Sequence, residues 1–420
     1  MVASKETLYA AVDVGTTKVC TLVAKVSSEG EMRVVAIGHA ASEGMKKGMV
    51  INPEELKTTV KSSVDDARSM LGRPLPPAFV GVTGSHLRAM NTAASITRKA
   101  KAQSTVSQRD VDRLLQSSRP DQKARSQVVH VIPRGYRVDG LQGVRNPVGL
   151  SGRRITVESH VVLGDTVSLA NVARVVHSAG VPVRGLVMEH IASSEAVLTI
   201  EDREAGVVLV DIGGGTSDIA IYANGVLHHT AAVPVAGQQL TSDVSIGLGI
   251  PLSVAEEVKL RHGSAVTDGV DPKELMEVRL DGASESKRFS QLWLNTLLRD
   301  RAIELVNLIM HVVRARGWSR MPQAGLVLTG GSANLRGLVE VAQEYAACPV
   351  RLGVPSQALG LPQELAETSF ATGVGLLLWG TRHQRASAIS PRVSLSPLVL
   401  QRLREWVSRL SFRRPTEVRV

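Results

Sequence analysis

Two segments of this chain repeat the same order of apolar and polar positions. LYAAVDVG occupies residues 8–15 and GVVLVDIGGG occupies residues 206–215, about two hundred residues further along. Each is an apolar run that ends in an acid, a β-branched residue and glycine, and each continues into an alternating segment, TTKVCTLVAKV or TSDIAIYANG. A buried strand, a tight glycine turn and a second strand predict a β-hairpin in both places.

Elsewhere the pattern alternates between strand-like and helix-like segments. RITVESHVVL at 154–163 reads as a strand, and VSQRDVDRLLQS at 106–117 reads as a helix capped by Ser107. Two further segments predict helices, PLSVAEEVKLRHG at 251–263 and GVGLLLWG at 373–380. The mixture predicts an α/β protein.

The end of the chain predicts an amphipathic helix at 396–414, preceded by a flexible linker at 381–395. Ser396 and Pro397 are residue types typical of a helix N-cap and first position. One helix face is apolar, with Val399, Leu403, Trp406, Val407 and Leu410. The arginines of this segment are Arg402, Arg404, Arg409, Arg413 and Arg414. Such a helix is suited to an anionic membrane surface, and the alternative is a helix that docks on the protein's own core.

Composition indicates a soluble globular protein. With 420 residues, 43% hydrophobic and 21% charged, the chain is long enough for two domains with their own cores. The N-terminal residues lack the pattern of a secretory signal, and the longest apolar stretches, around ten residues, are short for a bilayer. Cys20 and Cys348 lack metal-ligand spacing and indicate reduced thiols, so we expect the protein in the cytoplasm.

The net charge of +10 is distributed unevenly along the chain. Residues 82–163 carry +9 and residues 381–420 carry +7, so the remainder carries −6. This distribution predicts two separate basic surfaces. Nucleic acid is not the favoured partner, because only 3% of residues are aromatic and no nucleic-acid-binding motif is present.

The glycine turns of the two hairpins are suited to phosphate. Glycine lets the main chain approach closely and present its N–H groups, and the hydroxyls of Thr16, Thr17 and Thr216 add donors. Asp13 and Asp211 would repel a bare phosphate but suit a hydrated Mg²⁺ beside it. A P-loop or a Rossmann turn is excluded, since neither leads into a second strand. The alternative is two unrelated hairpins with glycine turns.

Two such hairpins resemble the actin-like ATPase superfamily, in which two lobes close on one nucleotide. The segment AGLVLTGGSANLRG resembles the glycine turn that this superfamily places at the adenosine, and Glu256 and Lys259 match its ribose-contacting helix. Ser253 and Glu256 also fit a capping box, which is an alternative role for the glutamate. The resemblance implies ATP or ADP with Mg²⁺ as cofactors.

The resemblance assigns a nucleotide site that combines the two hairpins, the ribose helix and the adenosine turn. The implied residues are Asp13, Gly15, Thr16, Thr17, Lys18, Asp211, Gly213, Gly214, Gly215, Thr216, Glu256, Lys259, Gly330, Gly331, Ser332 and Asn334. Asp13 and Asp211 would hold the metal through water. Glu189 lies near the position where the superfamily orients a water molecule, and the alternative is a solvated surface glutamate. The resemblance implies a primarily structural adaptor with at most a weak ATPase activity.

Within the superfamily the chain resembles the FtsA family of bacterial cell-division proteins. The segments that carry the resemblance are GMKKGMVINPEEL, GVRNPVGLSGRRITVESHVV, IASSEAVLTIEDRE, DIGGGTSDIAIY and VKLRHG. The resemblance implies a two-lobed actin-like ATPase fold with a nucleotide cleft, an inserted α/β subdomain and a C-terminal amphipathic helix. The implied boundaries are 5–81, 164–205 and 358–380 for lobe 1, 82–163 for the insert, 206–240 and 320–357 for lobe 2, and 241–319 for its outer subdomain.

The FtsA resemblance also implies a function. Its members form filaments, tether the FtsZ ring to the cytoplasmic face of the membrane at mid-cell, and help to recruit later division proteins. The implied partners are the FtsZ C-terminal tail, other copies of the chain and anionic lipids. Arg301 matches a tail-binding position, with Arg288 a weaker candidate, and Arg98 and Lys99 are among the charges expected to act in polymer contacts. The alternatives are the related pilus-assembly ATPases and a chaperone- or kinase-type ATPase.

Overall fold

A computed structural model of the protein describes residues 6–98, 104–121, 125–279, 286–318, 320–356 and 360–386. The predicted amphipathic helix at 396–414 and most of the predicted linker lie outside these residues. Within the part that is described, no helix combines the length and the apolar character needed to cross a bilayer.

Eighteen strands and ten helices form the described chain. The strands are β1 Thr7–Val14, β2 Lys18–Val26, β3 Met32–Ala41, β4 Met45–Lys46, β5 Met49–Val50, β6 Ala78–Val82, β7 Leu87–Thr97, β8 Ser126–Val138, β9 Leu141–Val144, β10 Arg154–Asp165, β11 Val183–Met188, β12 Val207–Ile212, β13 Ser217–Ala223, β14 Val226–Val233, β15 Leu275–Arg279, β16 Ser286–Ser290, β17 Leu326–Thr329 and β18 Val350–Leu352. The helices are α1 Pro53–Leu71, α2 Gln108–Ser117, α3 Thr166–Ser178, α4 Glu189–Val197, α5 Ile200–Ala205, α6 Gly237–Leu248, α7 Leu252–His262, α8 Gln291–Ala315, α9 Leu338–Ala346 and α10 Ala371–Ala386.

Two five-stranded sheets share one topology. The first, which with its helices is called lobe 1, has the order β11-β6-β1-β2-β3, and the second, called lobe 2, has the order β14-β13-β12-β17-β18. In each sheet three sequential strands form an antiparallel meander. A later strand pairs in parallel with the first strand of the meander, and a last strand pairs in parallel with that one. Both predicted hairpins are confirmed, as β1–β2 and β12–β13.

The alternation along β1 explains how lobe 1 is layered. Ala10, Val12 and Val14 pack in one core with α1 and α3, whereas Tyr9 and Ala11 pack in a second core with α4 and α10. That second core also includes side chains of β12 and β13, so α4 and α10 lie between the two sheets. Burial of both faces is what the continuous apolar runs of β1 and β12 indicate.

Lobe 2 packs its other face on α8 and α9. Its outer subdomain consists of α6, α7, the β15–β16 ribbon and the first half of α8, around a small separate core. The insert is a four-stranded antiparallel sheet with the order β7-β10-β8-β9, covered by α2. Ser107 caps α2 through a complete capping box with Asp110, as predicted. The chain joins the insert to lobe 1, but β7 and β8 also contact β14 of lobe 2.

The structure bears on two local expectations. Helix α10 continues to Ala386, so the first residues of the predicted 381–395 linker are helical. Arg98 is no free surface charge: its guanidinium donates to the carbonyls of residues 104, 105 and 152 and lies 3.2 Å from Asp110, so it closes a loop of the insert.

Candidate functional site

Both hairpins make the same turn. The Gly15 N–H donates to the Lys18 carbonyl at 3.0 Å, and the Gly213 N–H donates to the Thr216 carbonyl at 3.0 Å. The acid before each turn lies at the end of a buried strand, since the exposed fractions of Asp13 and Asp211 are 9% and 6%. The sequence repeat therefore corresponds to a repeated backbone.

The two turns face each other across the lobes. A Cβ on Gly214 would lie 2.3 Å from the Thr17 methyl carbon, and a Cβ on Gly215 would lie 2.8 Å from the Thr16 hydroxyl oxygen. Glycine is required here because any side chain would separate the two turns. A cavity of about 360 Å³ opens beside them, a size typical of ligand pockets.

The cavity collects the residues that the sequence assigned to a nucleotide, and Glu189 with them. Those that line it are Asp13, Gly15, Thr16, Thr17, Lys18, Glu189, Asp211, Gly213, Gly214, Gly215, Thr216, Glu256, Lys259, Gly330, Gly331, Ser332 and Asn334. Segments separated by more than three hundred residues thus converge on one space.

Four carboxyl groups line the cavity beside the hairpins, and three of them, those of Asp13, Asp211 and Asp218, are buried. Burial raises the pKa of Asp13 to about 7, with Lys18 lowering it and Asp211 raising it further. Burial likewise raises the pKa of Asp211, although the hydroxyls of Ser193 and Thr372 both donate to its Oδ2 atom and oppose that rise. No hydrogen-bond donor among the described residues contacts the Asp13 carboxylate.

Asp218 is the third carboxyl group, and the sequence interpretation missed it. It pairs with Asp211 across the hairpin, and its Oδ2 atom accepts hydrogen bonds from Thr83 at 2.5 Å and Thr216 at 3.0 Å. Burial raises its pKa to about 7. The pattern DIGGGTSD did contain the signal, because in a hairpin with this turn the first and last acids face each other. Thr83, Ser193 and Thr372 carry no such local signal.

Glu189, the fourth carboxyl group, is half-buried, and its Oε1 atom is inaccessible to solvent. It begins α4, and its Oε1 atom has no hydrogen-bond partner among the described residues. A Cβ on Gly81 would lie 3.4 Å from Asp13 Oδ1 and 3.5 Å from Glu189 Oε1, so the two groups share one space. Burial, and then the charges of Asp13, Asp218 and Asp211, raise the pKa of Glu189 well above its usual range. A solvated surface glutamate is therefore the wrong description.

The opposite wall of the cavity is built by α6, α7 and the glycine turn after β17. Lys259 Nζ lies 2.7 Å from Glu256 Oε2 and donates to the Thr241 hydroxyl at 2.9 Å, and that hydroxyl donates to Glu256. The capping-box alternative for Glu256 is wrong, because α7 follows Pro251 with no side-chain cap. Gly330 has φ +86°, and a Cβ there would lie 2.4 Å from Asp211 Oδ1.

Lys18 points from the first hairpin into the same cavity. Its Nζ atom donates to the Ser369 carbonyl at 3.0 Å and lies 3.6 Å from the centre of the Phe370 ring. The charge of Lys18 lowers the pKa of Asp13, so this lysine acts on the carboxyl cluster. Within the described residues, no three metal-ligating side chains lie close enough together to hold a metal ion directly.

Arg301 and Arg288 lie in the outer subdomain, away from the cavity. Arg301 on α8 makes a bidentate ion pair with Asp243, at 2.6 and 2.8 Å, and contacts Glu304. Arg288 on β16 pairs with Glu277 at 3.0 Å across the ribbon. Both arginines therefore already have carboxylate partners within the chain.

The fold and the sequence can be compared with known proteins. The family model "Cell division protein FtsA" matches residues 208–375, and the model "SHS2 domain inserted in FTSA" matches residues 84–163. Among solved structures, the PilM-PilN type IV pilus biogenesis complex has 15% identity and a TM-score of 0.63 over 89% of this chain and 98% of that chain. MreB5 of Spiroplasma citri bound to ADP has 14% identity and a TM-score of 0.53 over 90% of this chain and 98% of the MreB5 chain. These likenesses confirm the two-lobed actin-like fold.

Curated relatives are closer in sequence. Cell division protein FtsA of Escherichia coli is 32% identical over 97% of this chain and 98% of its own length. Cell division protein FtsA of Pseudomonas aeruginosa is 36% identical over 94% of this chain and 96% of its own length. With this identity over nearly its whole length, the chain belongs to the FtsA family of cell division proteins.

Proposed function

We propose that this protein is an ATP-binding, filament-forming division protein that tethers the FtsZ ring to the cytoplasmic membrane and helps to recruit later division proteins. The observation that carries the proposal is the cavity between the two glycine hairpins. Its support is the set of glycines, two lysines and five carboxyl groups that line the cavity, in a chain of the FtsA family. The solved MreB5 structures hold ADP and AMPPNP.

In this proposal each wall of the cavity contacts one part of ATP. The turn amides of Gly214 and Gly215 and the Lys18 ammonium bind phosphate oxygens, because backbone N–H groups at glycine turns make anion sites, whereas the Gly15 and Gly213 amides close the two turns. Glu256 and Lys259 bind the ribose hydroxyls, and Gly330–Asn334 surround the adenosine. The close approach of Gly214 to Thr17 would seat the phosphates between the lobes.

The carboxyl cluster is suited to a hydrated Mg²⁺. The Asp13 carboxylate accepts no hydrogen bond from the described residues, and the two hydroxyls at Asp211 both donate to its Oδ2 atom. Each of the two carboxylates can therefore accept hydrogen bonds from metal-bound water. A bound Mg²⁺ would neutralise phosphate charge and lower the pKa of the surrounding carboxyl groups. Glu189 would position the attacking water. Burial raises the pKa of Glu189 well above its usual range, which lowers the fraction of ionised carboxylate that can act as a base, so ATP turnover would be slow.

The membrane part of the proposal rests on residues 396–414, which lie outside the described chain. Their apolar face and arginines favour a peripheral helix on anionic lipid at the division site. The FtsZ tail would bind the outer subdomain near Arg301 and Arg288. A tail carboxylate must then compete with Asp243 for Arg301, so we expect modest affinity for a single tail.

Polymer formation is proposed from the charge distribution. The insert at 82–163 carries +9 and the chain outside the insert and the tail carries −6. A head-to-tail contact between the insert of one copy and the acidic core of the next would therefore be attractive, and it would propagate as a filament.

A vesicle sedimentation assay tests the whole proposal. Full-length protein with Mg²⁺ and ATP should carry FtsZ into the pellet with anionic vesicles, and deletion of 396–420 should leave FtsZ in the supernatant. Gly214→Val should abolish the ATP-dependent part of this recruitment, because its side chain would meet Thr17. Gly135→Ala is the matched control, since a Cβ at Gly135 meets nothing within 4 Å. Recruitment that persists after the deletion would refute the tethering role.

A further inference from the structure

The insert contacts lobe 2 through a buried histidine. His160 on β10 is fully buried, its Nδ1 atom lies 2.8 Å from Asn91 Oδ1, and its Nε2 atom lies 3.0 Å from the Thr230 hydroxyl. Burial and the nearby His229, Arg134 and His228 lower the pKa of His160 to about 3, so the ring is neutral.

Neutrality fixes the direction of these hydrogen bonds. The amide oxygen of Asn91 only accepts, so Nδ1 of His160 carries the proton and Nε2 is an acceptor. The Thr230 hydroxyl must therefore donate to Nε2, and its own oxygen remains free to accept another hydrogen bond. Thr230 is on β14, so this chain of bonds leads from the insert into lobe 2.

A small cavity lies on the other side of Thr230. It has a volume of about 20 Å³, and its polar lining consists of Thr230, His190 and Asp218. His190 is fully buried, and neither of its ring nitrogens has a hydrogen-bond partner among the described residues. Its Nδ1 atom lies 3.9 Å from Asp218 Oδ1, which is too long for a direct hydrogen bond.

We propose that this cavity binds a water molecule that links Asp218 with His190 and Thr230 and completes a hydrogen-bonded relay from the cleft to the insert. The volume exceeds the roughly 10–15 Å³ that one water needs, and the site offers three polar partners. Asp218 Oδ1 and the Thr230 oxygen accept from the water, and the neutral His190 ring donates to it. Asp218 Oδ2 already accepts from Thr216 in the glycine hairpin, so the relay begins at the cleft.

The relay gives the insert a way to respond to the cleft. A ligand that attracts the Thr216 hydroxyl or changes the charge of Asp218 would reorient the water, and with it the bonds of Thr230 and His160. This consequence rests on the proposed nucleotide binding, but the water site does not. The first test is therefore a high-resolution crystal structure of the nucleotide-free protein. Density for a water about 3 Å from both Asp218 and His190 is expected, and a dry cavity overturns the proposal.

The second test is hydrogen exchange of the full-length protein with and without Mg²⁺ and ATP. Thr230→Val keeps the side-chain shape and removes the hydroxyl, and Thr156→Val is the matched control, since Thr156 bonds Ser95 within the insert. In wild type and in the control, ATP should change exchange in β7 and β10 by about fivefold or more, and Thr230→Val should lose most of that change.

Calorimetry on the same samples separates the two hypotheses. Thr230 does not line the cleft, so Thr230→Val should bind ATP as wild type does. Absence of ATP binding by wild type would refute the proposed function, and the crystallographic test would still decide the water site. Normal ATP binding with the same exchange response in Thr230→Val and wild type overturns the relay.

Discussion

The turn segments of the two hairpins, counted from Asp13 and from Asp211, correspond residue by residue. Comparing them position by position shows where the hairpins differ. Gly15 matches Gly213, and both close the turn with the same backbone hydrogen bond. At the sixth position the first hairpin has Lys18 where the second has Thr216. At the eighth position, Cys20 pairs with Asp13 whereas Asp218 pairs with Asp211.

The side chains that surround the acids of the two hairpins also differ. Both carboxylates of the second hairpin accept hydroxyl hydrogen bonds, from side chains on other elements such as Thr83 and Thr372. The Asp13 carboxylate accepts none from the described residues, and its charge is offset by Lys18 instead. The backbone is repeated, but the first hairpin supplies a cation and the second supplies two fixed acids. A site for a charged phosphate chain with a metal needs both.

Cys20→Asp should have the largest effect of the substitutions that test this difference between the hairpins, because it places in the first hairpin the acid that the second has at this position. Cys20 is 1% exposed, and burial together with the charge of Asp13 raises the pKa of its thiol to about 12. An aspartate there would lack the hydroxyls that Asp218 has. We expect a loss on the order of 3–5 kcal/mol in the free energy of unfolding. Thermal unfolding should show a fall of about 5 °C, or no folded protein.

The matched control is Cys20→Ala, which leaves a small cavity and no charge. Its cost should be about 1 kcal/mol. If the aspartate variant unfolds at the same temperature as the alanine variant, the two hairpins tolerate the same chemistry and the difference drawn between them is wrong.

Lys18→Met and Thr216→Val compare how much the corresponding residues of the two hairpins contribute to ATP affinity. Loss of a charge-assisted bond at Lys18 should weaken Mg²⁺-ATP binding at least tenfold, about 1.4 kcal/mol, in calorimetry. Thr216→Val should weaken it by about fivefold or less, because that hydroxyl is neutral. Lys25→Met is the control, since Lys25 lies on the same strand and pairs with Glu6 outside the cavity. Equal losses at Lys18 and Thr216 would argue against a cationic first hairpin.

The same comparison explains what the sequence could predict. The repeated apolar run, acid and glycine are local features, and they identified both hairpins and the residues of their turns that line the cavity. The residues of the opposite wall came from the resemblance to actin-like ATPases, and Asp218 was missed. The partners of the carboxylates could not be predicted, because Thr83, Ser193 and Thr372 reach the site only through the packing of distant elements.

One interpretation is wrong and one expectation, still untested, is less favoured, for the same physical reason. Ser253 and Glu256 have capping-box spacing, but Pro251 precedes the helix and the glutamate instead accepts from Thr241 of α6. Arg98 lies in a basic segment, but three backbone carbonyls and Asp110 enclose its guanidinium. In both cases a tertiary contact outweighed a correct local pattern.

The smallest expected effect is the difference in unfolding temperature between Asp13→Asn and Asp211→Asn, and this difference should depend on pH. Burial raises the pKa of Asp13 in the folded protein to about 7, so the folded state binds its proton more tightly than the unfolded state does. Ionised Asp13 therefore destabilises the nucleotide-free protein above about pH 7, and this penalty shrinks as the pH falls towards 4. Asp13→Asn should raise the unfolding temperature by a few degrees near pH 8 and by progressively less in acid.

Asp211→Asn removes a buried charge too, but it also weakens two hydroxyl hydrogen bonds, so its unfolding temperature should stay within about a degree or two of wild type. Buried neutral histidines such as His130 change the pH profile of every variant, and the difference between variant and wild type at each pH removes their contribution. An equal gain in both variants would mean that the hydroxyls around Asp211 do not distinguish the second hairpin from the first.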